Sequence, residues 1–157
     1  MGNYNPSTRA RVADINQGLK VTKSAMSCAA TADVSLFTVS GDVALLGLVG
    51  VCDGAMQAAA TTVLIKHVVD GADTALSAAS ATLSEKAADT MLTLPAAAGS
   101  ALTISTGEGA ALLTAAPVWY LQAGVLTCTV GAATNTQTIT WHIWYVPMEE
   151  GASVVAA

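Results

Sequence analysis

The chain has 157 residues, of which 53% are apolar and only 11% charged, and its net charge is −5. That length suits one domain with a hydrophobic core of its own. The acidic balance excludes a general grip on nucleic-acid phosphate, and the longest unbroken apolar run, residues 43–52, is too short to cross a bilayer as a helix. Aromatics make up 4%, so the core must be built from small, branched side chains. Thr often stands beside Val, Ile or Leu, and Lys, Arg and Glu are scarce. This composition favours strands over long exposed helices.

Residues 1–18 are polar and mixed, with Pro6 and Gly18. They are expected to form an extended N-terminal arm, ordered only by a partner, ahead of a single domain over 19–157. The polar start has no hydrophobic stretch of the kind a secretory signal needs. Asn5 is followed by Pro6, which disables the one glycosylation sequon. The expectation is a protein made and kept in a cytoplasm. Four of the six basic residues, Arg9, Arg11, Lys20 and Lys23, precede position 24, with Asp14 as the only carboxylate there. The first 23 residues therefore carry +3 and the rest −8. Such an arm suits an acidic protein surface; four charges fall short of a nucleic-acid footprint.

From residue 19 the pattern becomes β-like. Leu19–Lys23 alternates, Val34–Val39 reads as a strand, and Ser40-Gly41-Asp42 as a turn. Val43–Cys52 follows, apolar on both alternating faces. A strand of that kind must be covered on both sides, one side by the chain's own core and the other by a further subunit. Leu46 and Leu48 are accordingly expected at a subunit interface. Asp53-Gly54 is a strong turn signal, although its partner strand is uncertain because 55–60 intervene before the next strand, 61–69. Asp70-Gly71 closes that strand.

Thr82-x-x-Glu85 matches a helix capping box. The spacing of turn signals instead favours a strand at 74–83, a loop at 84–89 and a return strand at 90–94. Short strands are predicted at 101–105 and 109–114. Pro117 opens a strand at 118–122, and Gly124 leads into one at 125–130. Gln137–Val146 is the clearest strand, with Ile139, Trp141, Ile143 and Tyr145 on one face and Thr138, Thr140, His142, Trp144 and Val146 on the other. The apolar tail, with Val154 and Val155, is expected to dock at a subunit seam. Roughly ten short strands at close intervals predict an all-β chain, a β-sandwich or jelly roll.

Catalysis needs titratable groups gathered at one place, and the sequence offers little of this. Cys28, Cys52 and Cys128 have no metal-type spacing, and their odd number argues against a disulfide framework. His67 and His142 lie in predicted strands without further ligands nearby, so no metal or cofactor is expected. Glu149-Glu150 are adjacent and would point to opposite faces of a strand. There is no Gly-x-Ser-x-Gly elbow and no phosphate-binding loop. The turn aspartates, Asp70 and Asp73 among them, are too sparse for a calcium loop. Trp141 and Tyr145 share a face with two isoleucines and read as core. Trp144 lies opposite and reads as an interface anchor. An enzyme is not expected.

The texture of Thr38-Val-Ser-Gly-Asp-Val-Ala-Leu-Leu-Gly-Leu-Val-Gly-Val51, of Ala55-Met-Gln57 and Thr61-Thr62, and of Gly131-Ala-Ala-Thr-Asn-Thr-Gln-Thr-Ile-Thr-Trp141 with Tyr145-Val-Pro147 resembles that of the capsid decoration, or cement, proteins of tailed bacteriophage heads. The resemblance spans about residues 30–157 and contains no catalytic motif. It implies a homotrimer on the outer surface of a virion capsid, bridging major capsid proteins by many weak contacts made at once. From the acidic body and the short apolar runs, no direct contact with nucleic acid or membrane is expected. Arg9, Arg11, Lys20 and Lys23 would then contact the capsid. Two alternatives stay open. One is another virion part, such as a head-fibre base or a tail or adhesin domain. The other is a carbohydrate-binding module using Trp119 and Trp144.

Overall fold

A computed structural model describes residues 18–105, 107, 109–110 and 118–157. The described residues form eleven strands and no helix: β1 (Leu19–Ser27), β2 (Asp33–Ser40), β3 (Val43–Cys52), β4 (Thr62–Val69), β5 (Ala72–Ala75), β6 (Met91–Thr93), β7 (Thr103–Ile104), β8 (Trp119–Leu121), β9 (Gly124–Gly131), β10 (Thr138–Pro147) and β11 (Ser153–Ala156). Residues 1–17 of the expected arm and 111–114 of the expected strand at 109–114 lie outside the described residues. Gly109 and Ala110 are not in a strand.

The strands form two antiparallel sheets, the β-sandwich that the composition predicts. Sheet A runs β1-β10-β3-β6-β7, and β8 pairs with the first half of β3 on the edge that β6 shares. Sheet B runs β11-β2-β9-β4-β5. Consecutive strands mostly change sheet, and the late strands enter the centre: β10 lies between β1 and β3, and β9 between β2 and β4. Asp53-Gly54 therefore does not close a hairpin. Asp53 N–H donates to Thr138 C=O, and the chain leaves sheet A for β4, whose partner is β9. Asp70-Gly71 does close one. Val69 pairs with Ala72 across a two-residue turn with φ of 49° and 80°, the doubly left-handed geometry that suits twisted hairpins.

The core lies between the inward faces. Alternation sends Ile139, Trp141, Ile143 and Tyr145 inward from β10, where all four are buried. Trp141 is directly opposite Gly50 on β3. Its indole occupies the space a side chain would take: a Cβ on Gly50 would stand 2.9 Å from the ring. Leu36, Phe37, Ile65 and Leu126 meet this layer from sheet B.

The expected strand at 74–83 forms only in part. After β5, residues 76–83 run beside β4, with N–H groups of Leu76, Ser80 and Leu83 donating to C=O of Ile65, Val63 and Thr61. Their return bonds come from serine hydroxyls, since Ile65 N–H donates to Ser77 Oγ and Val63 N–H to Ser80 Oγ. Side-chain acceptors thus replace backbone carbonyls, and the ladder is lost while the pairing persists. The capping-box reading fails because Glu85 takes φ of 57°.

Candidate interaction surface

Two of the expected interface residues need correction, both because of which face of the strand they occupy. Strict alternation along β3 puts Leu46 and Leu48 on one face. The pairing with β10 instead shifts: Gly47 faces Trp144, but Leu45 faces Tyr145, which leaves Leu46 as an extra residue. This bulge reverses the faces on either side of it. Leu48 pairs with Ile143 and is buried in the core, while Leu46 is 40% exposed on the outside. Val154, opposite Val39, is also buried in the core, and Val155 beside it points out of sheet B. The tail thus docks on its own sheet as β11.

Of the four expected capsid contacts, two lie within the described residues. Lys20 and Lys23 belong to β1 and are held in sheet A by pairing with Trp144 and Trp141. Lys20 Nζ lies 5.2 Å from the Trp144 ring centroid, a cation–π contact on the outer face. Lys23 sits on the inward side at the sheet edge and donates through Nζ to Ala157 O, linking the two edge strands β1 and β11. An inward charge at an edge also guards against strand addition. Arg9 and Arg11 lie outside the described residues.

The outer face of sheet A is built from the other half of each alternation. β10 presents Thr138, Thr140, His142, Trp144 and Val146; β3 presents Ala44, Leu46, Gly47, Val49 and Val51. Thr22 Oγ1 is 2.9 Å from His142 Nδ1, and the His142 ring tilts against Trp144 at 6.1 Å between centroids. Lack of solvent, reinforced by the Lys20 charge, holds His142 below the usual histidine range.

At one end of this face the exposed apolar residues gather. Six large apolar side chains of the described residues are strongly exposed, and four of them, Leu46, Val118, Tyr120 and Met148, stand in or beside the rows around Val146. Of the other two, Leu19 lies opposite Tyr145 on the core side of the β1 edge, and Val155 is on sheet B. Beside Tyr120 lies an acidic corner. Tyr120 Oη donates to Asp42 Oδ2, and Asp42 N–H donates to Glu149 Oε1 at 3.0 Å. The neighbouring carboxylates hold the Tyr120 phenol protonated beyond its usual range, the hydrogen bond to Asp42 first. Nothing in the sequence links Asp42, Tyr120 and Glu149, because their proximity arises from β8 pairing with β3.

The outer face of sheet B is different in kind. Lys66 bridges Asp33 and Asp73, each at 2.6 Å, and Thr129 Oγ1 donates to the other Asp33 oxygen. The Lys66 and Thr129 hydrogen bonds hold the Asp33 carboxyl below its usual range. His67 points inward from β4, away from His142, and desolvation depresses its pKa against a hydrogen bond to the Gln122 backbone. The three thiols are free and buried; desolvation pushes Cys28 and Cys52 up to about 11 and Cys128 higher still. Among the described residues no three His, Cys, Asp or Glu side chains gather as a metal site, and no helix is long and apolar enough to cross a membrane. A cleft of about 710 Å³ near Thr82 and Ser105 has Glu85 and Lys86 as its titratable lining. No protein-family model, curated protein or solved structure matches the chain.

Proposed function

We propose that this chain is a structural subunit of the capsid-decoration type, a homotrimer that attaches to the outside of a phage head and braces its major capsid proteins. The observation that carries the reading is the apolar end of sheet A. Large apolar residues exposed together on a small soluble domain mark an interaction surface, and the polar groups around them serve contact more readily than chemistry. A shell under internal pressure gains from bridging contacts, because several weak patches engaged together hold far more firmly than one. The carbohydrate alternative loses its platform: Trp119 packs inward opposite Leu45, whereas Trp144 points outward under Lys20.

The test has two readouts. Native mass spectrometry should find three copies of the 15.7 kDa chain. Addition to phage heads stripped of their decoration should give co-sedimentation and a higher rupture temperature. A single-copy particle that ignores such heads refutes the proposal.

A further inference from the structure

The two flanks of the apolar end carry opposite charge. On the β1 edge the outward residue is Lys20, which lies over Trp144. On the β8 edge stand Val118 and Tyr120, with Asp42 and Glu149 behind the phenol. Both β1 and β8 are edge strands of sheet A, and β10 and β3 separate them. Three strand spacings put the flanks about 14 Å apart. Each flank sets an aromatic ring beside a single sign of charge, and among the described residues no ion pair joins Lys20, Asp42 or Glu149 to a group of opposite sign.

We propose that the occupant of this surface is a second copy of the chain, docked so that the Lys20–Trp144 flank of one subunit meets the Tyr120–Asp42–Glu149 flank of the next. The choice of a like copy rests on charge complementarity. An outside partner would need to answer one flank only, whereas the chain carries both halves of the match. The two flanks are different surfaces, so the contact is head-to-tail, and a head-to-tail contact whose rotation closes makes a ring such as a trimer. Leu46, between the flanks, lies at the centre of the buried patch, and the charges form its rim and set its register. This contact rests on the oligomer of the proposed function and names the surface that builds it.

Charge reversal tests the contact. Lys20→Glu places like charges against the acidic corner, and the dissociation constant for self-association, measured by sedimentation equilibrium, should rise at least about tenfold. Adding Glu149→Lys in the same chain takes the acidic flank from two negative charges to a balance of one of each sign, so it should recover part of the affinity that Lys20→Glu loses. Asp42→Asn, which keeps an acceptor for Tyr120, is a milder second probe and should weaken association in the same direction. Near-UV circular dichroism of each variant checks that the sandwich is intact. An oligomer indifferent to Lys20→Glu and to Asp42→Asn overturns this contact and leaves the proposed function standing. A chain that stays single at all concentrations overturns both. Mixing Lys20→Glu with Glu149→Lys chains reads the symmetry: an odd ring recovers only in part, and full recovery as a twofold dimer refutes the head-to-tail arrangement.

Discussion

The bulge at Leu46 makes a sharp prediction, because it gives two leucines, two positions apart on one strand, opposite environments. Leu48→Ala removes three carbon groups from a site that is 2% exposed. At about 0.8 kcal/mol per group the transfer loss is about 2.4 kcal/mol, and the cavity beside Ile143 and Trp141 raises it to about 3–4 kcal/mol. Leu46→Ala removes the same atoms from a side chain 40% exposed on an open sheet face, where solvent fills the space, so its cost is about 1 kcal/mol or less. For a domain of this size each kcal/mol shifts Tm by about 2–4 °C. Calorimetry should therefore show a drop of about 6–16 °C for Leu48→Ala and less than about 4 °C for Leu46→Ala. Urea titrations followed by tryptophan fluorescence give the same ranking independently. Equal losses at the two sites, as strict alternation requires, would refute the register described here.

Gly50→Ala should destabilise, since the new methyl would stand 2.9 Å from the buried Trp141 ring; overpacking costs about 1–3 kcal/mol, against about 0.4–1 kcal/mol gained by stiffening the unfolded chain. A lower urea midpoint with an unchanged m-value is the expected result, and a stabilised variant contradicts it. Acid should weaken the fold in two stages. His67 and His142 both have depressed pKa values, so below pH 6.5 the unfolded chain binds protons that the folded one refuses, and stability falls with pH. Asp33, also depressed, contributes stability above its ordinary value of 3.8 that disappears further into acid. Urea midpoints measured from pH 8 to 3 should be flat at first and then decline; a rise between pH 7 and 5 contradicts the histidine argument. The thiols of Cys28, Cys52 and Cys128 should ignore a disulfide reagent at pH 8 and react together on unfolding, which absorbance reads directly.

Some elements were legible because one local signal dictated them. Val43–Cys52 emerges with the boundaries its apolar run suggested, and the alternation over β10 sorts Trp141 from Trp144 correctly. Asp70-Gly71 needs two left-handed residues in succession, and few pairs accept that. Other features depend on partners that no local pattern specifies. The bulge at Leu46 arises from pairing with β10, some hundred residues away, and leaves no trace in an uninterrupted apolar run. Leu48 was misassigned for that reason. Asp53-Gly54 has the composition of a hairpin, but the strand after it changes sheet. Ser77 and Ser80 imitate backbone acceptors, so 76–83 looks like a strand and runs like one without the ladder. The acidic corner joins residues from three distant segments, and only the seating of β8 against β3 brings them together.

The placement of β9 and β10 also governs how the chain must reach this state. Each completes the middle of its sheet, between strands made well before it, with Thr22 and His142 meeting across 120 positions. While the polypeptide is being synthesised, β1 to β4 emerge with their central neighbours missing and their ladder edges unpaired. Closure waits until residue 147 has left the ribosome, so folding should be slow, all-or-none and dependent on protection from aggregation in the interval. A nascent chain halted before β10 is the species on which a chaperone would act.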